Sequence, residues 1–96
     1  MDQITITRHE RGSSGEYHAA VAGSSAIGRL TWTEQAGVRA AEHTLVPDEI
    51  GGRGVAAKLV EALVADARQH GFKIDPQCSY VAAAFNRHPD WADLRS

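Results

Sequence analysis

Among its 96 residues the chain has one cysteine, Cys78, three prolines and an aromatic share of only 6%. A single thiol excludes an intramolecular disulfide, a cysteine-rich metal site and a Cys-x-x-Cys redox pair, and no metal is expected. No apolar run approaches the roughly 20 residues that cross a bilayer, and Met1-Asp2-Gln3 has neither the basic nor the apolar region of a secretion signal. The expectation is no membrane and a cytoplasmic protein. A surplus of one charge is missing as well: the net charge is −2 and the pI near 6.2, so no global field favours nucleic acid as a partner. What is present, 43% hydrophobic and 23% charged residues, is the make-up of an ordinary globular domain. This length allows one core, so one domain over residues 1–96 is expected.

Ile4, Ile6 and Arg8 alternate with Thr5 and Thr7 as in a half-buried strand, which the turn Gly12-Ser13-Ser14-Gly15 ends. A second strand is expected from about Glu16 to Val21. A third follows from Ala26 to Thr33, closed by Gln35-Ala36-Gly37. Such short spacing indicates an antiparallel meander. Val38 to Val46 shows no clean period of two, the pattern of a central strand covered on both faces, and Pro47 closes it. Val55, Leu59, Leu63 and Ala67 recur every four residues, with Val60 and Val64 one step around, and form an apolar helical stripe that Gly71 ends. Phe72-Lys73-Ile74 is read as a short buried strand and Cys78 to Arg87 as a second helix. In the tail, Trp91 and Leu94 are spaced as anchors of one docking turn. The resulting fold class is α+β: antiparallel N-terminal strands, then a β-α-β-α unit whose helical crossover makes one strand pair parallel.

Gly51, Gly52 and Gly54 stand immediately before the strong helix, where backbone N–H groups can converge on an anion at the positive helix end. A phosphate or pyrophosphate is the expected occupant, with Arg53 and Lys58 as supporting charges. A plain glycine-capped loop is the competing reading. Gly52 to Leu59 lacks the second glycine and the magnesium-binding hydroxyl of a P-loop. The dinucleotide fingerprint fits Gly52-x-Gly54-x-x-Ala57, with Asp75 downstream, but Pro47-Asp48-Glu49-Ile50 separates the glycines from the strand.

The run Leu45-Val46-Pro47-Asp48-Glu49-Ile50-Gly51-Gly52-Arg53-Gly54-Val55-Ala56-Ala57-Lys58-Leu59-Val60 resembles the acyl-CoA-binding segment of GNAT acetyltransferases, whose signature is [QR]-x-x-G-x-[GA]. Gly54 and Ala56 fit it, while Gly51 replaces the leading Gln or Arg. His43-Thr44, Pro76-Gln77-Cys78-Ser79-Tyr80 and Phe85-Asn86-Arg87-His88-Pro89 are similar to motifs of a very small GNAT subgroup. The resemblance implies a GNAT-like mixed sheet that splays after the Val38–Val46 strand. It also implies acetyl-CoA as cosubstrate, with pantetheine in the gap along that strand, Leu45 and Val46 among the cofactor-binding residues, and pyrophosphate on the Gly52–Ala56 amides. Asn86, Arg87 and His88 would lie near the adenosine end, and acetyl transfer to an amine, protein-borne or small, would occur near Cys78 and His43.

Cys78 falls at a helix start, which favours the thiolate, so it can accept the acetyl group covalently and pass it on. Direct transfer to the amine, with Cys78 as a packed thiol or as a general acid, is the alternative. His43 is the candidate base and Glu42 a weaker one, expected on the opposite face; a core hydrogen bond is the bland reading of His43. From another class, a CoA-binding module without turnover fits the same cradle. His9, His18 and His70 receive no role, and Trp32 is expected in the core.

Overall fold

The computed structural model describes residues 3–96. Four strands come first: β1 (Ile4–Arg11), β2 (Ser14–Val21), β3 (Ile27–Gln35) and β4 (Val38–Leu45). A 3-10 turn (Asp48–Ile50) leads to helix α1 (Val55–His70), then β5 (Lys73–Pro76), α2 (Ser79–Arg87) and a 3-10 segment (Pro89–Leu94). The sheet order is β1-β2-β3-β4-β5, antiparallel as far as β4 and parallel between β4 and β5. The expected meander and single parallel pair are both present.

The hairpins are tighter than expected. Arg11 pairs with Ser14, so Gly12 and Ser13 alone make the first connection, with Gly12 at φ 60° as a glycine-first two-residue turn requires. Gln35 pairs with Val38, leaving Ala36 (φ 53°) and Gly37 (φ 78°) as the second. Both central residues of that turn are left-handed, as the right-handed strand twist demands. Residues counted as turn by composition are strand because the pairing extends to the last residue that can still bond.

The helices cover one face of the sheet. Leu59, Leu63, Val60, Val64 and Ala67 of α1 are buried against Tyr17, Ala19, Val21, Leu30, Trp32 and Ala41. Each large aliphatic side chain so buried contributes about 1.5–3 kcal/mol. The tail docks as its spacing indicates, with Leu94 buried and Trp91 edge-on to Phe85 at 5.5 Å, although the turn is 3-10. On the other face, Thr5, Thr7, His9, Glu16, His18, Thr31 and Thr33 point away from the core, and none of the described helices packs there.

One expectation fails. β4 is an interior strand, yet only its helix-side face is covered: Arg39 and Ala41 are buried while Val38, Ala40 and Glu42 are half-buried and His43 exposed. Its period of two is hidden in the sequence for two reasons. An arginine occupies an inward position, and a bulge changes the parity halfway along.

The inward arginine is satisfied by a polar chain running through the helix-sheet interface. Arg39 donates to Glu34 at 2.8 Å and to the Tyr17 hydroxyl at 3.0 Å, and its guanidinium lies 3.6 Å from the Trp32 ring centre and 4.1 Å from that of Phe72. Tyr17 donates to Asp66 at 2.8 Å, and Asp66 accepts two bonds from Arg8. Buried charge is tolerated because each member has a partner.

Candidate acyl-transfer site

The site begins with two irregularities in β4. Thr31 pairs with His43 but its neighbour Trp32 pairs with Ala41, so Glu42 is the extra residue of a β-bulge. Beyond it the facing reverses: Thr44, opposite the buried Leu30, now points toward the helices, whereas His43, opposite Thr31, points to the open face. The second irregularity is on the β5 side. The parallel ladder ends at Ala41 and Pro76, where proline has no N–H to continue it, and Cys78 N makes the last bond to Ala41 O at 2.8 Å before α2 departs. From Glu42 to Leu45, β4 therefore keeps β3 on one side and, among the described residues, has no strand on the other.

The glycine-rich turn stands at the end of this split. Gly52 (φ 71°) and Gly54 (φ 78°) are left-handed, and a Cβ at either would meet only open space. Gly54 is the N-cap of α1 and no side chain caps the helix, so its first-turn N–H groups have no intrahelical acceptor. They face a cleft of about 270 Å³ lined by Val46, Gly51, Gly52, Gly54, Val55, Ala56, Ala57 and Tyr80. Donor groups and the positive helix end suit a phosphate there. Gly51, expected to be conformationally special, is instead extended at φ −69°, with its N–H on Asp48 O. Its position would accept a side chain, because the tight turn falls on Gly52 and Gly54. Buried Ile50 anchors the loop from below.

Cys78 is the N-cap of α2 and is half-buried. Its sulfur lies 3.4 Å from the hydroxyl of Thr44. Burial pushes the thiol up, but hydrogen bonds from Thr44 and from the first-turn amides of Val81 and Tyr80 outweigh it and hold the group below its ordinary value. The bulge thus brings Thr44 to the sulfur and turns His43 away. Two residues further along α2, Tyr80 reaches the wall of the cleft.

A split strand, an uncapped helix N-terminus and a lowered thiol stand side by side, and the sequence comparison agrees with that geometry. The family model for GCN5-related N-acetyl-transferases matches residues 16–94. The chain belongs to the GCN5-related N-acetyltransferase family. No curated protein matches it. Family membership indicates acyl transfer as the chemistry, and the five-stranded mixed sheet with one parallel pair is consistent with the family's fold.

Of the residues expected in a GNAT site, the structure brings Val46, Gly51, Gly52, Gly54, Val55, Ala56 and Ala57 together around the cleft. Leu45 precedes them and is exposed, at 61%, on the open face beside Arg29. Lys58 does not line the cleft; it pairs with Glu61 at 3.5 Å on the exposed side of α1. Arg53 is exposed in the turn itself. Asn86, Arg87 and His88 stand at the opposite end of α2 from Cys78, where His88 stacks on Trp91 at 3.9 Å. His43 and Cys78 are on opposite faces of the sheet, and Glu42, expected opposite His43, shares its face and accepts a bond from Thr33 at 3.1 Å. Sequence reasoning missed two residues. Thr44 lay in the His-Thr pair, but strict alternation assigns it the wrong face. Tyr80 lay in the Pro-x-Cys-Ser-Tyr run, but two residues apart on a helix do not share a face, so spacing from Cys78 gave no signal for it.

Proposed function

We propose that this chain transfers acetyl from acetyl-CoA to an amine, holding the pyrophosphate on the backbone amides from Gly52 to Ala57 and the pantetheine arm along Glu42–Val46. The observation that carries this reading is the adjacency of the uncapped α1 N-terminus to the β4 segment that has lost β5. An anion needs the first, and an amide-bearing arm finds unpaired strand groups in the second.

At the acyl end Cys78 is the nucleophile. Its thiolate attacks the acetyl carbonyl carbon, a carbon–sulfur bond forms to Cys78, and the bond to the CoA sulfur breaks, with CoA leaving as a thiolate that takes up a proton. The acceptor nitrogen then attacks acetyl-Cys78, loses its proton to a base and returns the thiolate. Thr44 is a positioning residue, since its hydroxyl stabilises the sulfur as an anion. Exposure on the far side of the same split segment supports His43 as the base for an acceptor arriving from that side. Asn86, Arg87 and His88 remain assigned to the adenosine end, which the cleft does not reach.

The test uses Ala57→Glu. Ala57 is exposed at the third helical position, where a glutamate is favourable for the helix yet puts a carboxylate where phosphate should sit. Calorimetry should give micromolar CoA binding by the wild type and at least tenfold weaker binding by the variant, with an unchanged or raised melting temperature. Intact mass after incubation with acetyl-CoA should show one acetyl group on the wild type and none on Cys78→Ala. Equal CoA affinity in both proteins removes the cradle. Full acetyl transfer by Cys78→Ala removes the covalent route and leaves direct attack by the amine.

A further inference from the structure

The two edges of the sheet are finished differently. At the β5 edge the chain's own tail continues the sheet: Arg95 bridges Ile74 in parallel and Ser96 N donates to Ile74 O at 2.9 Å. Arg68 holds the turn before it through Asp93 at 3.1 Å and Asp90 O at 2.9 Å. The β1 edge has no such cover among the described residues, since β1 pairs with β2 on one side and with no strand on the other. Ala22 N bonds to Gln3 O, and Arg11 and Ser14 flank the two-residue turn, so the odd-numbered residues from Gln3 to Arg11 direct their N–H and C=O to β2. Ile4, Ile6, Arg8 and Glu10 direct theirs outward. Edge strands are commonly kept from pairing by shortness, proline, a bulge or charged side chains. β1 runs eight residues in unbroken register without proline, and its charges are of both signs. Arg8 and Glu10 stand two apart on the helix side of the strand. Arg8 gives Nε and Nη2 to Asp66, which leaves Nη1 for another carboxylate. Glu10 is exposed and has no hydrogen bond or ion pair among the described residues.

We propose that β1 is a self-association edge, on which a second copy of this chain adds its own β1 antiparallel about a two-fold axis at His9. An axis normal to the sheet makes the two strands antiparallel and keeps the helices of both copies on one face. Charge selects the register. Centred on His9, Arg8 of each copy lies opposite Glu10 of the other, in the pairs that exchange main-chain hydrogen bonds, and Thr7 lies opposite Arg11. Centring on Arg8 sets two guanidinium groups against each other, and centring on Thr7 or Ile6 sets Arg8 against an isoleucine. In the His9 register the incoming carboxylate meets a guanidinium already oriented by Asp66, so the contact is a charge-assisted hydrogen bond at a fixed position. The cofactor clefts stand beside β4, three strands from the axis, and stay open in both copies. A short strand pair buries less than the roughly 1,200–2,000 Å² of a standard interface, so the association is weak, with a Kd on the order of 0.1 mM.

Sedimentation equilibrium of the whole chain between about 10 µM and about 1 mM should show a mass rising from 10.3 kDa toward twice that. Glu10→Lys sets a lysine opposite Arg8 and should stay at the monomer mass throughout, with an unchanged melting temperature because the position is an exposed edge. A second measurement reads the register directly. In a Cys78→Ala background, His9→Cys places two thiols across the axis in a pair whose Cβ atoms are about 4.5–5.5 Å apart, so diamide should join the chains. Thr5→Cys in the same background should not cross-link, because eight residue steps of about 3.4 Å separate it from its counterpart, about 27 Å in all. A wild type that keeps the monomer mass at about 1 mM overturns the proposal, as does a dimer that Glu10→Lys leaves intact. Cross-linking as fast at Thr5→Cys as at His9→Cys overturns it as well, because the strands then meet in another register.

Discussion

At the scale of single residues, the candidate site holds a sulfur and a hydroxyl that face each other because of one extra residue in a strand. Cys78 should react with iodoacetamide along a pH profile shifted below that of an ordinary thiol, since the Thr44 hydroxyl and the α2 amides outweigh burial. Thr44→Val keeps the shape, removes the donor and should move the profile upward; a profile that does not move would deny Thr44 its role. Ala36 offers a stability test. It is the one non-glycine residue among those described with a left-handed backbone. Ala36→Asn, which tolerates that conformation at lower cost, should stabilise the fold by about 1 kcal/mol in urea titration.

At the scale of elements, the close approach of strands and rings constrains substitutions that look harmless in sequence. A Cβ at Gly15 would overlap the Trp32 ring and come within 2.7 Å of His9 O. Gly15→Ala should therefore cost about 1–3 kcal/mol by overpacking, measured as a lower urea midpoint, although alanine is the better strand former. Similarly, α1 is legible from its four-residue stripe, and its start from the glycines, because both depend on local spacing. The stripe also contains Asp66, which lies three residues after Leu63 and is buried. A carboxylate on an apolar face announces a buried partner, but not which one.

At the scale of the whole molecule, Asp66 joins β1, β2 and, through Tyr17 and Arg39, β4 and β3. Burial raises its carboxyl, but the bonds from Arg8 and Tyr17 and the charge of Arg8 outweigh this and hold it below the ordinary range. With the folded value lowered, the unfolded chain binds the proton more readily. The associated stability is thus full above the unfolded value near 4 and is lost as pH falls through the lower folded value. Acid titration of unfolding should show a decline beginning near pH 4. Asp66→Asn should flatten that limb and cost about 1–3 kcal/mol at neutral pH, because the buried Tyr17 hydroxyl loses its ionised acceptor while Arg8 is half exposed and Arg39 keeps Glu34.

The sequence by itself determined the elements, their order, the parallel pair, the glycine-rich turn before α1 and the position of the thiol at a helix start. These follow from periodicity, turn residues and chain connection, all of which act over a few residues. Only the tertiary structure decided which face each β4 side chain takes, that Thr44 rather than His43 meets Cys78, and that His9, Glu16, Thr31 and His43 align in one row. Side-chain facing in a strand reverses with a single unpaired residue, and whether one is unpaired depends on register against a strand ten or more residues away.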